Sequence, residues 1–247
     1  MPCGITRSFA GGVPSQRRAW RATHSEGAIT RSVRRSSSRA SSRKAGRRDC
    51  VAAAIARLHP SKDHATLIEA FALASAADPH LRLQIVGDGP LRASLERLAA
   101  RCAAPALGDG RLAFLGESAQ IPTVLAACDL VILPGAREGF GLAALEAMAA
   151  GLPVIAPHGG ALPELIEDGG SGLLVRPGDA AALAAAISRL ARDAALRLKL
   201  GRRGRQIAER FSLEAMVAAT ARLYREVVPD GSARPHGGPI DTPGPST

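Results

Sequence analysis

After Asp49 the chain settles into a repeated rhythm of short apolar runs alternating with amphipathic stretches, and no other feature constrains the fold as tightly. The runs near residues 50–56, 81–86, 111–115, 129–133, 153–156 and 173–175 are of strand length and mostly apolar on both faces. Strands of that kind are buried on both sides. Between them lie stretches near 64–77, 90–103, 119–127, 142–150 and 161–167 with apolar residues at three- and four-residue spacing, as in Leu91, Leu95 and Leu98. That is the period of a helix burying one stripe. Strands joined by helical crossovers pair in parallel, so the expectation is an α/β fold: a Rossmann-like, doubly wound parallel sheet of about six strands. Asp179 to Val228 reads as two or three consecutive helices, with Asp179 as N-cap and Gly201 and Gly204 as a break.

The ends differ from this body. Residues 1–48 carry 12 basic residues and one acidic, Glu26, whereas the rest carries 20 basic and 21 acidic, so the net charge of +10 belongs to the first segment alone. From Ser32 to Arg48 the chain is almost all Arg and Ser with small residues, too polar to bury a core. We therefore expect a disordered arm at 1–48, one working domain at 49–228 and a disordered Pro/Gly-rich tail at 229–247. The arm lacks the interleaved aromatics of a base-stacking surface, which argues against nucleic acid as partner. Cys3, Cys50, Cys102 and Cys128 have no metal-ligand spacing and read as reduced thiols. With no apolar run of membrane length and no apolar signal core, a cytoplasmic protein is expected, with peripheral membrane association left open.

In an open parallel sheet, ligands bind beyond the carboxyl ends of the strands. The loop after the first strand contains Arg57 and Lys62, two cations suited to a diphosphate, although surface cations are common. The loop after the second is Gly87-Asp88-Gly89-Pro90, which departs from a dinucleotide GxGxxG at Arg92 and also fits a tight turn or a close approach to ligand. The loop after the fourth leads through Glu138-Gly139-Phe140-Gly141 into a helix at Leu142. Free amides and the helix dipole there form an anion site. Glu138 precedes that helix and Glu146 lies inside it, so two carboxylates could flank a bound diphosphate and accept bonds from sugar hydroxyls. The same spacing also fits a helix-start charge and a solvated face. His59, His64 and His158 lie near strand ends without metal spacing.

Glu138 and Glu146 resemble the two ends of the EX7E motif of family 4 glycosyltransferases, which have the GT-B fold. Further matches run in order. Arg57-Leu58 with Lys62 resembles a GRL-x-x-x-K segment, and Val86-Gly87-Asp88-Gly89-Pro90-Leu91 and Phe114-Leu115-Gly116 resemble strand ends. Leu133-Pro134, Ala147 to Val154, Gly159-Gly160 with Pro163-Glu164, and Gly172 to Val175 follow. The chain is thereby identified as resembling the C-terminal, nucleotide-sugar-binding half of such an enzyme.

The resemblance implies that Arg57 and Lys62 neutralise the leaving diphosphate, that Glu138 contacts the donor sugar, and that Glu146 holds the ribose. Backbone groups of Phe140, Gly141 and Leu142 would face phosphate and sugar, with Gly87 and Gly89 on the neighbouring strand end and Leu115 near the base. It further implies retaining transfer of a hexosyl group from a nucleotide diphosphate sugar to a hydroxyl acceptor, whether lipid, glycan or small molecule, with no metal and no cofactor beyond the donor. An acceptor domain is not evident in the sequence, so weak activity of the chain alone is expected. A partner chain carrying that domain, a nucleotide-sugar-binding module or an inactive remnant are the alternatives. Two departures stand at the site: Ala56 where Gly of GRL is usual, and Asp63 where Gly is common.

Overall fold

A computed structural model describes residues 48–227. The arm, apart from Arg48, and the tail lie outside the described residues. Contacts divide the chain into two compact units that part between Glu209 and Arg210.

The first unit is built on a six-stranded sheet of β1 (Cys50–Ile55), β2 (Leu81–Val86), β3 (Leu112–Gly116), β4 (Leu130–Ile132), β5 (Val154–Pro157) and β6 (Gly172–Val175). All strand pairs are parallel, in the order β3-β2-β1-β4-β5-β6. This is the doubly wound parallel sheet expected. The direction in which successive strands are added reverses between β1 and β4, and the loops leaving the carboxyl ends of those two strands flank this switch point, where an open parallel sheet binds its ligands.

The helices are α1 (His64–Ala77), α2 (Arg92–Cys102), α3 (Ala104–Gly108), α4 (Ile121–Ala127), α5 (Leu142–Ala149), α6 (Leu162–Leu165), α7 (Ala180–Arg192) and α8 (Ala194–Ala208). One core holds Ala52, Ala54, Leu83 and Ile85 of the sheet against Leu67, Ile68 and Phe71 of α1 and Ile187 and Leu190 of α7. The other holds Val51, Ala53, Val131 and Val154 against Ala147 and Met148 of α5 and Ile207 of α8. Alternate residues of β1 thus feed opposite cores, as the pleat requires. Each large side chain fully buried here contributes roughly 1.5–3 kcal/mol.

Caps explain several boundaries. Asp63 accepts from the Thr66 amide at 3.4 Å at the start of α1, and Asp179 from the Ala182 amide at 2.8 Å at the start of α7. Helix α1 ends at Asp78, which precedes Pro79 and is extended. One expectation fails. Gly201 and Gly204 do not break a helix but lie inside α8, where Gly201 lets α8 touch the turn after α5: a β-carbon there would stand 2.2 Å from the Gly151 carbonyl oxygen. Helix–helix approach, not chain reversal, explains this glycine. The predicted helix over 90–103 also ends at Cys102, and the short α3 follows it.

The second unit, taken by itself, carries α9 (Leu213–Val227), capped where Ser212 Oγ accepts from the Ala215 amide at 3.1 Å.

Candidate functional site: the carboxyl ends of β1 and β4

Lys62 and Glu138 meet at the switch point. Lys62 ends a single 3-10 turn, Pro60–Lys62, whose start is capped by His59: its Nδ1 accepts from the Ser61 amide at 3.3 Å. The following residue, Asp63, has φ 44°, the left-handed region. Glycine takes that conformation without cost, which accounts for its frequency at this point in the resembling family. Here the aspartate carboxylate is turned to capping α1 and not to Lys62. The Lys62 ammonium instead donates to Glu138 Oε1, across 76 residues of sequence.

Both backbones of this pair are held in place. Gly135 lies so close to the β1 loop that a β-carbon on it would stand 2.7 Å from the Ser61 carbonyl oxygen and 2.8 Å from Lys62 Cα. On the other side, the Glu138 carbonyl accepts from the Ala161 amide at 3.1 Å. The charged ends are only partly covered, with the Lys62 and Glu138 side chains 25% and 17% exposed. A pair in that position is less screened than a surface ion pair yet open to exchange with a ligand.

Three residues beyond Glu138, Gly141 at φ 84° is the N-cap of α5 and offers no side-chain acceptor to the first amides of the helix. The earliest amide with an i−4 carbonyl is Leu145, which donates to Gly141 O at 3.0 Å. The free donors of the first turn, with the dipole behind them, suit an anion. Phe140 and Leu142 are exposed at 47% and 64%, and Glu146 is exposed on the same helix. Arg57 lies exposed at the end of β1. The fold thus puts Arg57 and Lys62 on the loop after β1, Glu138, Phe140 and Gly141 on the loop after the adjacent β4, and Leu142 and Glu146 in the first two turns of α5.

Gly87 and Gly89 stand at the adjoining end of β2, but their tight approach is to the chain's own backbone. A β-carbon at Gly87, whose φ is 137°, would lie 2.0 Å from the Ala56 carbonyl oxygen, and one at Gly89 would lie 2.5 Å from that of Leu58. Close packing of the β1 and β2 ends accounts for both glycines as a tight turn. Ala56 has no need of glycine, since it is not among the positive-φ residues. Leu115 is half-buried at the end of β3, beside Gly116, whose carbonyl accepts from the Gly87 amide at 2.7 Å.

His158 is exposed and its amide donates to Val175 O. His64 is different. It is buried with both ring nitrogens unpartnered, and burial pushes its pKa from 6.5 down to about 4; Asp63 opposes this and Lys62 adds to it. A cavity of about 450 Å3 opens on the same two loops, lined in part by His59, Ser61, Asp63, Ala136 and Arg137. Arg137 was not singled out from the sequence, where only its position next to Glu138 hinted at it. Among the described residues no group of three His, Cys, Asp or Glu could hold a metal ion, and no helix is long and apolar enough to cross a membrane.

The sequence profile of the glycosyl transferases group 1 matches residues 37–207. The chain belongs to that family. Among curated relatives, it is 36% identical over 181 residues to the D-inositol 3-phosphate glycosyltransferase of Corynebacterium efficiens, covering 71% of this chain and 42% of that protein. It is 34% identical over 150 residues to the N-acetyl-alpha-D-glucosaminyl L-malate synthase of Bacillus anthracis, covering 60% of this chain and 38% of that one. The chain therefore spans about two fifths of the length of these relatives. HepE of Anabaena, solved in complex with UDP, superposes with a TM-score of 0.66 at 30% identity over 72% of this chain and 49% of HepE. The C-terminal domain of LpcC, a group 1 glycosyl transferase of Francisella tularensis, superposes at 0.61 with 28% identity over 66% of this chain and 87% of that domain. The group 1 sheet found here is the Rossmann-like sheet of GT-B glycosyltransferases.

Proposed function

We propose that this unit is the donor half of a retaining glycosyltransferase that moves a hexosyl group from a nucleotide diphosphate sugar to a hydroxyl acceptor. The observation that carries the reading is the meeting of Lys62 with Glu138, three residues before the uncapped N-terminus of α5 at Gly141. Arg57, Lys62 and the amides of Leu142 and its neighbours offer positive charge where a diphosphate would sit. They would stabilise the charge that grows on the leaving oxygen as the anomeric bond breaks. Glu138 would take hydroxyls of the transferred sugar and Glu146 those of the ribose. That HepE was solved in complex with UDP supports a nucleotide-linked donor. Retention of configuration rests on the likeness of Glu138 and Glu146 to the family 4 motif.

The acceptor, whether lipid, glycan or small molecule, would be presented by a further domain or chain closing over the strand ends, since attack needs both reactants held in register. The domain-closing partner and peripheral attachment to a membrane belong to the same proposal.

Calorimetric titration of the chain with the UDP, GDP and ADP forms of glucose tests the reading. One of these should bind, and Glu146→Ala should remove most of that binding. Failure of all three to bind, or binding indifferent to Glu146→Ala, would overturn it.

A further inference from the structure

The ion pair that marks the site also occupies it. Lys62 is expected to receive a diphosphate oxygen, yet its ammonium is held by Glu138, the carboxylate expected to receive sugar hydroxyls. The two backbones are fixed by Gly135 against Lys62 and by the Ala161 amide on the Glu138 carbonyl, so exchange requires only side-chain movement. Resting on the donor-site reading above, we infer that this pair is a counter-ion latch that couples recognition of the diphosphate to recognition of the sugar and promotes release of the spent nucleoside diphosphate.

The argument is one of charge. A diphosphate reaching Lys62 displaces Glu138 and leaves a carboxylate, 17% exposed, beside a ligand of the same sign. An intact nucleotide sugar compensates, because its hydroxyls donate to the freed carboxylate and its β-phosphate, being esterified, carries less charge. Once the sugar has left, the terminal phosphate gains charge and the hydroxyl donors are gone. Glu138 then has no partner as good as Lys62, and its return expels the nucleoside diphosphate. The repulsive element acts against the product and spares the donor, which is discrimination by an unfavourable contact.

Paired titrations of UDP with UDP-glucose, GDP with GDP-mannose, and ADP with ADP-glucose test this on the unaltered chain and on Glu138→Gln, which keeps the shape of the side chain and one acceptor oxygen and removes its charge. For the base that binds, the glutamine variant should hold the nucleoside diphosphate about tenfold more tightly, with a correspondingly slower dissociation, and gain less for the nucleotide sugar. Glu138→Ala, read in the same way, keeps the test decisive should the glutamine variant not fold. Unchanged or weaker diphosphate binding in these variants, with nucleotide sugar still bound by the unaltered chain, overturns the latch alone. No binding of any nucleotide or nucleotide sugar by the unaltered chain overturns the donor site and the latch together.

Discussion

Gly135 rests on Lys62: the space for a β-carbon at 135 is filled by Lys62 Cα at 2.8 Å and by the Ser61 carbonyl oxygen at 2.7 Å. The loop after β4 is therefore pressed onto the loop after β1, and the reach from Lys62 to Glu138 depends on that contact. Gly135→Ala should push the loops apart and weaken nucleotide-sugar binding by about tenfold or more, because displacements of about 1 Å are costly where groups must converge. Titration of the purified variant measures it, and wild-type affinity in a folded Gly135→Ala protein would refute the dependence.

Asp63 combines a strained backbone with a useful cap. At φ 44° it carries the left-handed cost, and its carboxylate repays part of it by accepting from the Thr66 amide at 3.4 Å. Asp63→Gly removes both and should change stability by less than about 0.5 kcal/mol, whereas Asp63→Ala keeps the strain, loses the cap and should cost about 1–2 kcal/mol. Urea unfolding midpoints compare the two. An alanine variant as stable as the glycine variant would contradict this account.

The contact between Gly201 and Gly151 sets how closely α8 lies on the turn after α5. With only 2.2 Å available to a β-carbon, Gly201→Ala should destabilise the protein by about 2–3 kcal/mol although alanine is the better helix former. Thermal unfolding of the variant decides the matter, and a stabilised protein would show that helix propensity outweighs the contact.

His64 makes stability depend on pH with a definite sign. Its pKa in the folded protein, about 4, lies below the ordinary 6.5, so the unfolded chain binds this proton more readily. The contribution is fully present above pH 6.5 and is lost as the pH falls toward 4, amounting to at most about 3 kcal/mol. His64→Leu should flatten that part of the profile. Parallel urea-unfolding curves for the two proteins between pH 7 and pH 4 would remove His64 as the cause.

Much of this protein is visible in its residue order because the signals involved are local. Two-sided apolar runs specify buried parallel strands. Asp179 caps the helix it precedes, and the short strand-to-helix loops carry the ordered motifs by which the chain resembles a glycosyltransferase. Local pattern misleads where a residue serves a distant neighbour. Gly201 reads as a helix break, yet its missing side chain is needed by Gly151. Gly87 reads as a tight turn or a ligand contact, and the Ala56 carbonyl that fills the space beside it does not show in the residue order. The ion pair of Lys62 and Glu138 is of this second kind. The sequence alone determined the strands, most of the helices and the two charged residues, each from its neighbours in the chain. Which charge Lys62 meets was decided only in the tertiary structure, because the crossover that sets β4 beside β1 brings together loops 76 residues apart.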